Sequence, residues 1–173
     1  MSDKGRIQYI IVDVDGVMTD AGIIYDEKGN ELKKFCSRDA AGFWALQEAG
    51  ITVLVVTGRE CTATTRRMKE LGVEQVFQNI RDKKKFLIGY IQKHNINKEN
   101  IAYIGDDLND FPSMQLCGYV FAPVDACDEI KKIADYVSPI QGGHGVVRNV
   151  AEHILREDNS WNKIIKEVYG IGI

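Results

Sequence analysis

At 173 residues, 45% hydrophobic and 27% charged, the chain is long enough for one domain whose core closes without disulfides or a structural metal. A net charge of −3 with no long basic block argues against a nucleic-acid partner, and four scattered cysteines (Cys36, Cys61, Cys117, Cys127), with no C-x-x-C pair or adjacent histidine, argue against a zinc or disulfide framework. The start of the chain lacks the apolar stretch of a signal peptide and no run is long enough to span a membrane, so the expectation is a reduced, cytoplasmic protein.

The first element is the apolar run Ile7-Gln8-Tyr9-Ile10-Ile11-Val12, which reads as a buried strand. It delivers Asp13-Val14-Asp15-Gly16-Val17 at its carboxyl end, where open α/β sheets bind ligands. Two acids flanking one valine can divide chemistry between a nucleophile and a proton carrier. The pair alone is equally compatible with turn capping, because Asp before Gly is ordinary turn chemistry.

Residues 22–25 and 31–35 flank a polar segment, 26–30, and predict a β-hairpin projecting from the sheet edge, about residues 18–37 in all. Arg38-Asp39 precedes a helix over residues 40–49, with Ala41, Trp44, Ala45 and Leu46 at helical spacing and Gly50 as its stop. Residues 51–56 form a second buried strand ending in Thr57-Gly58-Arg59, followed by a helix over 62–71 and a short strand over 73–77. A helix over 82–94 starts at Asp82-Lys83, and a strand over 101–104 runs into Gly105-Asp106-Asp107-Leu108-Asn109-Asp110.

A helix to Leu116, strands at 119–122 and 136–137 and a helix near 127–134 complete the alternation. Gly-rich Gln141-Gly142-Gly143-His144-Gly145 introduces a helix over 146–155, and a tail over about 156–173 carries Trp161, Ile164, Ile165 and Val168 at helical spacing. The fold class predicted is α/β, a Rossmann-like parallel sheet with helices on both faces. The apolar, glycine-bearing terminus is a candidate for docking on another subunit.

The strand ends gather complementary groups: Asp13 and Asp15, Thr57, Lys83 at a helix start, then Asp106, Asp107 and Asp110. Crowded carboxylates repel, so a hard divalent cation is their natural partner, and Mg²⁺ suits a site that keeps room for waters and a phosphate oxygen. Each piece alone has a plainer reading. Thr57-Gly58 can be a strand-ending turn, Lys83 in Lys83-Lys84-Lys85 a solvated lysine, and Asp107 and Asp110 helix caps.

Taken in order, these segments resemble the four motifs of the haloacid dehalogenase superfamily of phosphotransferases, over nearly the whole chain. The resemblance implies that Asp13 is the nucleophile, taking the phosphoryl group as an aspartyl-phosphate, and that Asp15 is the acid and then the base. It assigns Mg²⁺ to the carboxylates of Asp13 and Asp106 and the backbone carbonyl of Asp15. Phosphate oxygens fall to Thr57, Gly58 and Lys83, with Asn109 on the substrate side, and Asp107 or Asp110 would orient metal waters or Lys83. Residues 16–56 and 58–82 leave no room for the cap domain that many members insert there. Such a capless enzyme would close its site with a neighbouring chain.

Within the superfamily, the segment from Asp13 to Gly22, Phe35 through Asp39, Thr57-Gly58-Arg59 and the segment from Gly142 to Arg148 are similar to the 3-deoxy-D-manno-octulosonate 8-phosphate phosphatases. Those are capless, Mg²⁺-dependent homotetramers of lipopolysaccharide precursor synthesis, with hairpins at the tetramer centre and carboxyl-terminal tails helping to cover a neighbour's site. Arg59 and Arg148 are the candidates for the sugar acid's carboxylate or hydroxyls, since guanidinium offers paired donors. The pattern departs at His144, where Arg is frequent, and at Asn149, where Glu is usual; His144 would donate to the sugar acid when protonated, with a charge that depends on pH. A nine-carbon ulosonate 9-phosphate (deaminated or N-acetyl neuraminate) is the alternative substrate, and Arg59 favours the eight-carbon acid because an acidic residue is expected there in the deaminated-sugar enzymes. From a different class, a phospho-acceptor or silent oligomerisation module would not need Asp15 beside Asp13.

Overall fold

The structure, a computed structural model, describes residues 5–172. Along the chain it comprises β1 (Tyr9–Val12), a hairpin of β2 (Ile24–Tyr25) and β3 (Glu31–Leu32), α1 (Asp39–Glu48), β4 (Thr52–Val56), α2 (Thr62–Glu70), β5 (Gln75–Phe77) and α3 (Lys83–His94). There follow β6 (Ile101–Ile104), α4 (Phe111–Met114), β7 (Tyr119–Ala122), α5 (Asp128–Ile133), β8 (Tyr136–Val137), α6 (Val146–Glu157) and α7 (Trp161–Tyr169). The six sheet strands pair in parallel in the order β5-β4-β1-β6-β7-β8. This is the doubly wound arrangement, and its strand order reverses between β1 and β6, the crevice where such sheets place their ligands.

Strand β1 lies at the centre because its apolar residues are wanted on both faces. Ile10 and Val12 enter the core shared with α1, α6 and α7, whereas Ile11 enters the core shared with α3, α4 and α5. Val12 pairs with Val55 on one side and Ile104 on the other, and the next amide, Asp13 N–H, donates to Ile104 C=O at 3.0 Å. The sheet therefore delivers Asp13, Thr57 and Gly105 at one edge as the ends of β1, β4 and β6.

The helical layer on the first face is drawn tight by Gly42, where an added Cβ would stand 2.7 Å from Arg148 Cα, so α1 and α6 cross at backbone contact. Asp39 closes the same junction from α1: its Oδ1 accepts from Arg148 N–H at 3.0 Å, in the first turn of α6, which starts at Gly145 without a side-chain cap of its own. Burial lifts the Asp39 carboxyl to about 6 even though the Arg148 and Val147 amides favour its anion. Trp161, Ile164 and Ile165 bury the inner face of α7, each removing about 1.5–3 kcal/mol worth of apolar surface from water.

Most predicted elements occur within a residue or two of their expected bounds. Trp44 differs: Phe43, Ala45 and Leu46 face the core and Trp44 faces outward. The stretch to Leu116 is helical only to Met114, after which Leu116 N–H donates to Ser113 C=O in a tighter turn, and an unforeseen 3₁₀ turn occupies Lys98–Asn100 with Asn97 as its cap. Nothing of domain size interrupts the described segments between Asp15 and Lys83, which hold the hairpin, α1, β4, α2 and β5. The hairpin leaves Ile23, Ile24, Tyr25 and Leu32 exposed, while α7 ends at Gly170 with exposed residues beyond it. Among the described residues no helix is long and apolar enough to cross a membrane.

Candidate active site

At the end of β1, Asp13 is 3% exposed, with Oδ1 accepting from Val14 N–H at 2.7 Å and from Lys83 Nζ at 2.8 Å. Lys83, the first residue of α3, is equally enclosed and donates also to Asp110 Oδ1 at 2.7 Å, so it is not the solvated lysine that its run of three permits. Asp110 Oδ1 accepts in addition from Tyr103 Oη at 2.8 Å, and its Oδ2 accepts from Asp106 N–H at 3.2 Å. These bonds make Asp110 a strut between β6, the loop after it and Lys83. An N-terminal cap bond from its carboxylate to α4 is absent among the described residues.

Asp13, Asp106 and Asp110 each offer a carboxylate oxygen within 4.8 Å of the others. Burial, then Asp110, raises the Asp13 carboxyl well above the usual carboxylate range, against the pull of Lys83. Asp106 is lifted to about 7 by burial and by Asp110 and Asp107. Burial opposes the Lys83 charge, but the Asp13 and Asp110 carboxylates outweigh it and raise its pKa. Three carboxylates sharing one ammonium leave a deficit of two positive charges, which a divalent cation supplies. Asp110 is engaged by hydrogen bonds at both oxygens, whereas Asp13 accepts at Oδ1.

The loop after β1 fits this cluster closely. Gly16 adopts φ +84°, and a Cβ there would stand 1.8 Å from Asp106 Oδ2, so only glycine lets the loop pass the carboxylate. The Gly-rich loop packs onto the same turn, with Gly143 N–H donating to Val17 C=O at 3.0 Å. Thr57 is buried at the end of β4, its hydroxyl accepting from Arg59 N–H at 3.3 Å. At Gly58 a Cβ would meet only Ile80 O at 3.7 Å, so the protein alone does not demand glycine there.

Asp15 is more open than Asp13, its side chain 25% exposed, and it is tied to the hairpin by an ion pair from Lys33 Nζ to Oδ1. Lys33 also reaches Glu31 at 2.8 Å, and Glu31 receives Arg59 Nε at 3.0 Å. Arg59 donates further to Tyr25 Oη at 3.0 Å. Arg59 foremost, with Lys33, holds the Glu31 carboxyl down at about 2. Sequence reading missed Lys33, Glu31, Tyr25 and Tyr103. The available signal for the first two was the alternation of half-buried Glu31, Lys33 and Phe35 with exposed Leu32 and Lys34, which puts charged residues on the hairpin's inward face.

The remaining candidates lie apart from this cluster in their contacts. Asp107 and Asn109 are exposed in the loop after β6, Asp107 Oδ1 accepting from Leu108 N–H at 2.8 Å. His144 and Arg148 line a separate groove of ≈ 600 Å³ with Ser37, Arg38, Glu152 and Tyr169, to which none of the strand-end aspartates contributes. Arg148 lies 4.8 Å over the Trp161 ring and pairs with Glu152 at 3.4 Å, while His144 Nδ1 stands 2.7 Å from Gly142 O. Stacking and the Glu152 carboxylate direct Arg148 toward α7. His153 stacks on Tyr136, and exposed His94 makes a tilted ring contact with Tyr90.

A Rossmann-like sheet with an Asp-x-Asp pair at the end of β1, a buried lysine and an acidic loop after β6 defines a hydrolase of the haloacid dehalogenase type. A model of haloacid dehalogenase-like hydrolases matches residues 75–150. The 3-deoxy-D-manno-octulosonate 8-phosphate phosphatase of Haemophilus influenzae is 36% identical over 151 residues, 87% of this chain and 84% of that one. Its counterpart in Escherichia coli K12 is 38% identical over 150 residues, 87% and 80% of the two chains. Among solved structures, the Moraxella catarrhalis enzyme in complex with a magnesium ion, a phosphate ion and a KDO molecule superposes with a TM-score of 0.89 at 36% identity, covering 94% of this chain and 93% of that one. The cobalt-bound Haemophilus influenzae enzyme gives 0.86 at 34%, covering 91% and 92%. The chain belongs to the 3-deoxy-D-manno-octulosonate 8-phosphate phosphatase family.

Proposed function

We propose that this protein is a Mg²⁺-dependent phosphatase that hydrolyses 3-deoxy-D-manno-octulosonate 8-phosphate to the free sugar acid and phosphate, a step of lipopolysaccharide precursor synthesis in the cytoplasm. The observation that carries the reading is the pairing of Asp13 with Lys83 beside Asp106 at the switch point, with Asp15 two residues on and held separately. Asp13 is the nucleophile. Its carboxylate forms a bond to phosphorus, the bond from phosphorus to the sugar oxygen breaks, and that oxygen takes a proton from the Asp15 carboxyl. Asp15 then removes a proton from the water that cleaves the aspartyl-phosphate and regenerates Asp13.

Asp13 and Asp106, with the backbone carbonyl of Asp15, would hold Mg²⁺, which when bound offsets charge on the phosphate oxygens. Lys83, the Thr57 hydroxyl and the Gly58 amide bind the other phosphate oxygens, and a dianion has little else to meet a negatively charged nucleophile. Asp110 fixes Lys83, Asp107 would orient water at the metal site, and Asn109 lines the mouth on the substrate side. Arg59, braced by Glu31 and Tyr25, keeps Nη1 without a protein hydrogen bond among the described residues and offers it to the sugar carboxylate. Arg148 and His144 are left outside this set because their contacts lie in a different groove.

The whole chain acts as one capless catalytic domain. Its homotetramer is built on the hairpin, where Ile23, Ile24, Tyr25 and Leu32 are exposed, and the tail beyond α7 is available to a neighbouring site. The test is phosphate release with Mg²⁺ from the eight-carbon 8-phosphate, both nine-carbon 9-phosphates and simple hexose phosphates. The expected outcome is the highest kcat/KM on the eight-carbon acid. Preference for a nine-carbon acid would overturn the substrate and keep the chemistry, and turnover of none would overturn both in favour of a silent module.

A further inference from the structure

Lys33 is an unusual residue for a projecting hairpin. Its side chain is 2% exposed, and its ammonium meets two carboxylates, Asp15 at Oδ1 and Glu31 at 2.8 Å. A lysine on a two-stranded ribbon normally extends into water, and a buried one must be paired on all sides. Glu31 is itself immobilised by Arg59 through Nε at 3.1 and 3.0 Å to its two oxygens. The result is a chain of alternating charges, Arg59 to Glu31 to Lys33 to Asp15, that begins on the loop after β4, crosses the hairpin and ends on the second acid of the Asp-x-Asp pair. Asp15 has no other ion pair among the described residues, so its charged partner comes from the hairpin.

We propose that Lys33 is a positioning residue for Asp15. By occupying Oδ1 it leaves Oδ2 as the oxygen that gives its proton to the departing sugar oxygen, and Glu31 holds Lys33 at that task. The inference rests on the reading of Asp15 as the general acid. The atoms balance as in that reading: the phosphorus–oxygen bond breaks, its electron pair stays on the sugar oxygen, and the Oδ2 proton moves there while Lys33 keeps all its own.

The leaving group separates this role from a merely structural one. An alkoxide leaving group needs the proton, whereas 4-nitrophenolate departs as the anion, and kcat/KM reads events only through phosphoryl transfer. In the full-length holoenzyme with saturating Mg²⁺, Lys33→Met is expected to lower kcat/KM on a hexose 6-phosphate, which has an alkoxide leaving group and no carboxylate for Arg59 to bind, by about 100-fold, the low end of general-acid contributions, and on 4-nitrophenyl phosphate by less than about threefold. Lys33→Arg, which returns a cation to Oδ1, is expected to recover most of that difference. Asp15→Asn is measured alongside. If Asp15→Asn shows the leaving-group difference and Lys33→Met does not, losing both substrates equally or neither, the positioning role is overturned while the acid assignment stands. If Asp15→Asn itself shows no difference, the acid assignment falls and the Lys33 role with it. Should Lys33→Met fail to fold, the same ratio read on Lys33→Gln decides.

Discussion

Replacing Lys83 with methionine keeps the length of the side chain and removes the one cation inside the acid cluster. Nζ stands 2.8 Å from Asp13 and 2.7 Å from Asp110, in a side chain only 2% exposed, so both contacts lie at the buried limit where stranding a partner costs about 3–5 kcal/mol. For a chain of this size that corresponds to roughly 6–20 °C in Tm. The loss should depend on pH. Asp13 already has a folded-state pKa raised above its unfolded value by burial and by Asp110, and removing Lys83 raises it further. The folded variant then binds more protons than the unfolded chain, so its stability is retained at low pH and falls as pH rises toward the folded pKa.

Urea unfolding of Lys83→Met and the wild type in EDTA, at pH 5.5 and pH 8, reads this directly. The gap between the two proteins should widen at pH 8, and saturating Mg²⁺ should narrow it by restoring positive charge to the same carboxylates. A gap of under about 1 kcal/mol at pH 8, the size of an average point mutation, would refute the reasoning, as would a gap that ignores both pH and Mg²⁺.

Asp13→Asn should abolish turnover in a phosphate-release assay, because an amide cannot form the acyl-phosphate; full activity in a sample shown by mass to be free of deamidation would sink the mechanism. Gly16→Ala places a Cβ 1.8 Å from Asp106 Oδ2 at a φ of +84°, so calorimetric titration should show Mg²⁺ affinity reduced by about 10-fold or more. Asp106, at about 7 in the metal-free protein because of burial and the Asp110 and Asp107 carboxylates, should release a proton when Mg²⁺ binds. Apparent Mg²⁺ affinity should therefore climb from pH 6 to pH 8, and an indicator-dye titration at pH 6.5 should detect the proton.

The sheet was legible because β1, β4 and β6 are short apolar runs with an acid, threonine or glycine immediately after them, and the same positions carry the family motifs. Lys83 was legible only as a motif position, since its neighbours Lys84 and Lys85 are exposed and the run by itself describes a solvated helix start. The contacts that complete the site depend on tertiary placement. Lys33 meets Asp15 across the hairpin and Tyr103 meets Asp110 across the end of β6, and no local pattern announces either. Arg148 also stands in a recognisable segment, and Trp161 and Glu152, supplied by α7 and α6, are the contacts its guanidinium makes.

The two acids of the Asp-x-Asp pair are held in parallel ways that explain their different work. Lys83 sits between Asp13 and Asp110, and Lys33 sits between Asp15 and Glu31, so each acid has its own enclosed ammonium and each ammonium a second acid. The first lysine comes from α3, packed on the sheet, and it fixes a carboxylate that is almost fully enclosed; that arrangement suits a nucleophile whose approach to phosphorus must be defined before substrate arrives. The second comes from a two-stranded hairpin that makes few contacts with the sheet, and it holds a carboxyl group left partly open to exchange protons with water. On the proposed roles, nucleophilic attack would be preorganised by the core of the fold, whereas proton transfer would depend on the hairpin staying in place. The exposed Ile23, Ile24, Tyr25 and Leu32 are on that same hairpin, so whatever packs against them would steady the proton-transfer half of the site and leave the nucleophile's setting unchanged.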